Sequence, residues 1–197
     1  MISAPLSLYS LPWCGMDKPR WRVRSSSYVV DSPYMRLRAD ELELPDGTIV
    51  PNYYVRESFG FVTILALTPD RQVILVRQYR YGADSIHLEL PAGMLIEDEV
   101  PQECALRELA EETGYEVARC EPAAVYLPEP VRSTARAYVY VGFDARRTRE
   151  PQLDVTEHLQ VELASLPRFR EMLADGTIDA GASIAAGYRA LDYLKLL

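Results

Sequence analysis

Three glutamates, Glu108, Glu111 and Glu112, fall within the run GMLIEDEVPQECALRELAEETGY at residues 93–115. A helix turns about 100° per residue, so side chains three and four positions apart cluster on one side of it. Here that side is expected to lie away from the apolar face carrying Ala105 and Leu109. Like charges so placed repel by roughly a few tenths of a kcal/mol per exposed pair. A bound hard cation reverses that cost, and all-oxygen ligands select Mg²⁺, Mn²⁺ or Ca²⁺ over zinc or copper. Mg²⁺ takes one or two carboxylates and completes its shell with water and substrate phosphate. Two adjacent glutamates alone would be read as a solvated helix face. The surrounding residues decide the matter.

Gly93, Glu99, Arg107, Glu108, Leu109, Glu111, Glu112, Gly114 and Tyr115 match the pattern Gly-x5-Glu-x7-Arg-Glu-U-x-Glu-Glu-x-Gly-U at every specified position. Tyr115 is a mild departure, since U is a bulky residue and usually aliphatic at that place. With average residue frequencies, a chance match in this chain has odds on the order of one in ten million. The segment resembles the box of the Nudix hydrolases. The resemblance implies Glu108 and Glu112 as ligands of Mg²⁺ or Mn²⁺, with Glu111 a further ligand or an outer-shell, catalytic carboxylate. It implies Arg107 as the partner that neutralises and orients the glutamates, and Glu99 as the tie between loop and helix. Gly93 would let the backbone turn tightly and leave the Ala92 carbonyl free to reach a metal. Bound metal supplies water activation, charge neutralisation and in-line positioning, which hydrolysis of a diphosphate needs.

The resemblance runs from about residue 21 to 194. Arg77-Gln78-Tyr79-Arg80 and Glu89-Leu90-Pro91-Ala92-Gly93 look like the ADP-ribose and nucleotide-sugar pyrophosphatase branch, as does Pro45-Asp46-Gly47 followed by Tyr53-Tyr54-Val55. In that branch Arg77 and Arg80 become candidates for a diphosphate or carboxylate partner, because a planar guanidinium suits bidentate contacts. Tyr79 would support a base or sugar, or simply fill core. Glu89 would orient an arginine or touch substrate. One more glutamate commonly follows the box on a loop and helps activate water. Glu157 matches that place, with Asp154 the near alternative. The Ser-Pro-Gly-like loop of the branch reads Leu127-Pro128-Glu129-Pro130-Val131-Arg132-Ser133-Thr134 here. It lacks glycine, and Arg132 adds a cation, so nucleoside diphosphate sugars other than ADP-ribose stay open. The branch also implies a homodimer built through the N-terminal sheet. Tyr28, Tyr34, Tyr53, Tyr54 and Phe59 would then be interface or stacking aromatics, or core.

The elements that must position these residues can be read from pattern. Pro101 suits a first helical turn and Gly114 the position just past the last, with Ala105, Leu106, Leu109, Ala110 and Thr113 on one face between them. From Phe61, FVTILAL and QVILVRQYR read as β-branched, apolar strands separated by the turn Thr68-Pro69-Asp70-Arg71. A short strand is expected near residues 87–90, and others near 117–120, 123–126, 135–143 and 158–162. Two helices close the chain, one with Leu166, Phe169, Met172 and Leu173 ending at Gly176, the other with Ile184, Tyr188, Leu191 and Leu194. Upstream, YVVD, MRLRADELEL and TIVPNYYVRE read as three antiparallel strands with Asp46-Gly47 as a hairpin turn. Such a sheet is marginal alone, so it is expected to dock on the rest of the chain or on a second subunit. The fold class is α+β: a Nudix-type α/β/α sandwich with a mixed sheet, preceded by a small N-terminal antiparallel β-sheet. Residues 1–20 read as a loose tail, 21–57 as the sheet region and 58–197 as the hydrolase domain.

Composition narrows the function classes. The chain has 197 residues, 48% of them hydrophobic, and a formal charge of −8. That charge argues against broad nucleic-acid binding, while a small phosphorylated ligand can be served locally by divalent cations. No apolar stretch approaches a membrane-spanning helix, so no membrane partner is expected. The first fifteen residues lack a basic start and are broken by Pro5 and Pro12, which does not suit a signal peptide; Met16 could equally be the start. Cys14, Cys104 and Cys120 form no CxxC pair, which fits a reducing, cytoplasmic setting. His87 and His158 read as surface or core residues and not as ligands. Two further readings compete with nucleotide-sugar hydrolysis. A compact cleaner of damaged triphosphates does not need the N-terminal extension. A non-catalytic nucleotide sensor would not need every acid of the box.

Overall fold

A computed structural model describes residues 20–153 and 158–197. The expected tail, apart from Arg20, and the loop acids Asp154 and Glu157 lie outside the described residues. Two compact units are resolved, one running to Phe59 with Leu127–Arg136, the other comprising Gly60–Tyr126 and Ala137–Leu197.

The first unit is an antiparallel sheet of β1 (Arg22–Ser32), β2 (Met35–Glu43) and β3 (Ile49–Glu57), in that order. The β2–β3 turn is the one expected at Asp46-Gly47: Gly47 has φ 85°, and the Asp46 carboxylate accepts from the Thr48 N–H at 2.9 Å. β1 starts six residues before the expected YVVD. Its Ser25-Ser26-Ser27 run carries little β-signal, and pairing supplies what propensity lacks. Ser26 donates to Asp40 at 2.6 Å across the sheet. Little of this sheet is core. Polar pairs hold it instead, with Arg38 bonded to Asp40 and Glu57, and Arg36 stacked 4.5 Å from the Tyr28 ring centroid. The segment Leu127–Arg136 belongs here because its backbone continues the pairing. Arg56 donates to the Arg132 carbonyl at 2.8 Å, Thr134 donates to the Arg56 carbonyl at 3.1 Å, and the Tyr53 hydroxyl donates to Val131 at 2.5 Å.

The second unit contains β4 (Phe61–Ala66), β5 (Gln72–Arg80), β6 (Ser85–Glu89), β7 (Ala92–Met94), α1 (Pro101–Thr113), β8 (Tyr115–Glu116), β9 (Arg119–Tyr126), β10 (Ala137–Phe143), β11 (Arg146–Arg147), β12 (Leu159–Ser165), α2 (Leu166–Asp175) and α3 (Gly181–Tyr193). A mixed sheet of order β7-β4-β10-β9 has its one parallel pair at β4–β10, and β12-β5-β6 is antiparallel. The two strands expected at 117–120 and 123–126 are a single strand. β9 runs through Pro122, and the register shift opposite Val139–Tyr140 absorbs it.

Alternation along these strands makes the layers. Val62, Ile64 and Ala66 pack with Cys104, Ala105 and Leu109 of α1. Leu65, Leu67, Val139 and Val141 face the other way, onto Phe169 and Leu173 of α2 and Ala186, Ala190 and Leu191 of α3. This is the expected α/β/α arrangement. Among the described residues no helix is long and apolar enough to cross a membrane.

Two outcomes follow from this core. Phe169 is fully buried, so Phe169→Ala should cost about 3–5 kcal/mol in urea unfolding. Burial pushes the Cys104 thiol up to about 12, and burial together with Glu121 pushes Cys120 up to about 11. In a Cys14→Ser protein, both thiols should react with a thiol reagent at pH 8 at well under a hundredth of the free-cysteine rate until urea is added.

Candidate active site

The site is built on α1. Val100, its N-cap, offers no side-chain cap, and Pro101 occupies the first turn, where a missing N–H costs nothing. At the other end Gly114 (φ 74°) donates to the Ala110 carbonyl at 3.0 Å. A Cβ there would lie 2.1 Å from the Arg149 carbonyl, so glycine is required both for the turn and for the returning chain. That chain is pinned to the same helix end: Thr148 donates to the Gly114 carbonyl at 2.9 Å and Gln152 to the Glu111 carbonyl at 2.8 Å. Tyr115, the unusual box residue, lines a cavity of about 450 Å³ with Arg147, Glu150, Pro151 and Leu159. None of the box carboxylates lines it.

Arg107 is the hub. Its guanidinium donates to both Glu99 oxygens (2.8 and 3.2 Å), to Glu108 (2.7 Å) and to Glu111 (2.9 Å). The Glu99 hydrogen bonds raise its pKa most, against the opposing effect of burial, so it stays charged at any working pH. The same bonds hold the Glu99 carboxyl below the usual glutamate range. Glu99 also accepts from the Ile96 N–H at 3.2 Å, which ties the loop to the helix. Glu112 departs from the expected solvent-facing cluster. It is only 3% exposed, on the buried side of α1, and accepts from the Ala92 N–H at 3.1 Å. Three residues after Leu109, it sits at the border of the apolar face, and pattern alone does not say on which side of that border it falls.

The donor set fits a hard divalent cation. It is all oxygen, and Glu108 lies directly over Gly93, where a Cβ would come within 2.0 Å of Glu108 Oε1. The missing side chain is the space the carboxylate occupies. As they stand, the carboxylates are drawn to Arg107 and to the Ala92 N–H, and among the described residues no three acidic, histidine or cysteine side chains already converge on one point.

The remaining sequence candidates are dispersed. Arg80 makes a bidentate pair with buried Glu89 (2.8 and 2.7 Å), and Arg77 pairs with Glu162 of β12. The half-exposed Tyr79 donates its hydroxyl to Asp84 at 2.8 Å. Arg132 belongs to the first unit, where its carbonyl serves β3. His87 is half-buried between Ser85 (2.7 Å) and Asp179 (2.6 Å). Pattern reading missed Glu162 and Ser183 as partners of site strands. They lie 85 and 93 residues from the groups they bind, and no local signal links them.

Two outcomes test this geometry. Gly93→Ala should displace the Glu108 carboxylate, and Glu99→Gln should loosen Arg107; each should weaken divalent-metal affinity about 10–100-fold. Because the folded-state pKa of Glu99 is depressed, its contribution to stability is present above its unfolded pKa and is lost as pH falls through the folded one. The stability gap between wild type and Glu99→Gln should be constant above about pH 5 and shrink below about pH 4.3.

The chain is similar to known proteins over most of its length. Residues 60–185 match the NUDIX domain model, and residues 21–55 match the nucleoside diphosphate sugar hydrolase N-terminal domain. The chain is 36% identical over 159 residues to the methanol dehydrogenase activator of Bacillus methanolicus, covering 80% of this chain and 85% of that one. It is 29% identical over 157 residues to the ADP-ribose pyrophosphatase of Bacillus subtilis (strain 168), covering 79% and 84%. A crystal structure of an ADP compounds hydrolase superposes with a TM-score of 0.78 at 22% identity, over 89% of this chain and 95% of that chain, and so shares the fold. With its box complete and its helix placed as the pattern required, the chain belongs to the Nudix family, in the form that carries a nucleoside diphosphate sugar hydrolase N-terminal domain.

Proposed function

We propose that the chain hydrolyses the diphosphate linkage of ADP-ribose or another nucleoside diphosphate sugar, giving a nucleoside monophosphate and a sugar phosphate, with Mg²⁺ or Mn²⁺ as cofactor. The observation that carries this reading is the set of box acids Glu99, Glu108 and Glu111 gathered by Arg107, with Glu112 held beside them by the Ala92 N–H, in a chain whose N-terminal segment matches a nucleotide-sugar hydrolase domain.

Glu108, Glu112, Glu111 and the Ala92 carbonyl would hold the metal. When bound, the metal activates water and neutralises charge on the leaving phosphate. Arg107 keeps Glu108 and Glu111 on one side of the helix while no cation screens them, and releases them by retaining Glu99 as its bidentate partner. Glu111, half-buried at the edge of that set, is assigned to proton transfer from the attacking water, together with Glu157. Arg77 and Arg80 are assigned to the diphosphate, Glu89 to orienting Arg80, Tyr79 to the base or sugar, and Arg132 to substrate. A homodimer is favoured by the exposed apolar side chains of the N-terminal unit, among them Trp21, Val29, Tyr34 and Met35. A cytoplasmic setting is favoured by the free thiols of Cys104 and Cys120.

The 36% identity to a dehydrogenase activator favours a second reading, in which the chain acts on a partner enzyme. The separating assay uses the purified chain alone, with Mg²⁺ or Mn²⁺ and then EDTA, on ADP-ribose, GDP-mannose, UDP-glucose, NADH and diadenosine polyphosphates. The expected result is EDTA-sensitive release of a nucleoside monophosphate. Glu111→Gln and Glu112→Gln should lower kcat by at least about a hundredfold with nucleotide binding retained. Inactivity of the folded, metal-loaded chain on the whole panel would sink hydrolysis of these compounds and leave the activator reading.

A further inference from the structure

The strand-to-strand segment Glu89–Gly93 carries the Ala92 carbonyl, and its groups are held from several elements. The Glu89 carboxylate is bound by Arg80 of β5. The Pro91 carbonyl accepts from the Ile64 N–H of β4 at 3.0 Å, and the Ala92 N–H donates to Glu112 of α1 at 3.1 Å. Gly93 pairs with Val62 and lies beneath Glu108. The Leu90 N–H is bound from the opposite layer of the sandwich: it donates at 3.0 Å to the hydroxyl of Ser183, in the first turn of α3.

Ser183 is 2% exposed. Serine in a first helical turn ordinarily serves its own helix or water, and serine is a poorer helix former than alanine. Here it stands in the otherwise non-hydroxylated run Gly181-Ala182-Ser183-Ile184-Ala185-Ala186, and its hydroxyl goes to a backbone N–H of the site segment. Leu88, Leu90, Ile178 and Ala186 belong to one core cluster. Without Ser183, the buried Leu90 N–H would lose its acceptor, and burial penalises that state strongly. Relief requires the backbone around Leu90 to move, two residues from the Ala92 carbonyl and from the N–H that fixes Glu112. A second tie draws the same elements together: His87 of β6 bonds Asp179, just before α3, at 2.6 Å.

We propose that Ser183 is a positioning residue for the metal site, fixing the Leu90 backbone and through it both the Ala92 carbonyl and the partner of Glu112. The proposal rests on the reading that Ala92, Glu108 and Glu112 hold a divalent cation. It makes α3, which packs mainly on β4, β9 and β10, part of the site's support.

The test is a titration of the full-length chain with Mn²⁺, following free Mn²⁺ by electron paramagnetic resonance, alongside melting temperature. Ser183→Ala should weaken Mn²⁺ binding about tenfold. Leu191→Ala, a core substitution about two turns further along the same helix that removes no hydrogen bond to the segment, should lower the melting temperature at least as far and leave Mn²⁺ affinity within twofold of wild type. Ser183→Cys keeps a weaker acceptor; it should show a smaller loss in the same direction and carries the test if the alanine variant does not fold. Unchanged Mn²⁺ affinity in both Ser183 variants, or an equal loss in Leu191→Ala, would overturn the proposal. Failure of wild type itself to bind Mn²⁺ would overturn the metal reading beneath it, a result distinguishable from the other two.

Discussion

The arrangement of the site depends on one guanidinium. Arg107 bonds Glu99, Glu108 and Glu111, and without it the acids of α1 and the preceding loop would repel one another across a single helix face. The planar fork of arginine can serve several carboxylates at fixed angles, which a lysine ammonium does less well. Its preferred partner is Glu99, bound through two nitrogens, and this division of labour leaves Glu108 and Glu111 with weaker claims on the same cation. An internal counter-charge of this kind offsets the like-charge repulsion along one helix face.

The backbone around that helix is held by contacts that use polar groups sparingly and place them deep. Glu112 lies inside the α1 face and secures the Ala92 N–H. Gly93 surrenders its side-chain volume to Glu108, and Gly114 surrenders its own to the Arg149 carbonyl. On the far layer, Ser183 secures the Leu90 N–H. The segment between β6 and β7 is thus fixed from both sides of the sandwich, as a site needs if its ligands are to be preorganised.

Arg77 and Arg80 of β5 are both compensated within the fold, in a chain of net charge −8. Each is held by an acid of its own fold, Glu162 and Glu89 respectively. Arg80 is 46% exposed at the side chain and Glu89 only 7%, so the carboxylate is the fixed member and the guanidinium the presented one. The N-terminal unit follows a different logic. Its three strands bury little, and cross-strand pairs such as Arg38 with Asp40 and Glu57 hold them together. Burial raises the pKa of the Asp40 carboxyl, and the hydrogen bonds from Arg38 and Ser26 more than compensate.

The sequence by itself determined the helix that carries the acids, its ends at Pro101 and Gly114, the strands β4 and β5, and the layering, because each of these rests on local spacing: helical period, alternation, a proline and a glycine. It also determined the family, since the box is a short and local pattern. Tertiary structure decided whether Glu112 faces water or core, because a residue at the border of an apolar face takes its burial from whatever packs there. It also decided that Leu127–Arg136 pairs with β3, that Arg77 meets Glu162, and that Ser183 reaches Leu90. Those are contacts between residues 76 to 93 positions apart in the chain, where loop closure and packing, and no local preference, select the partner.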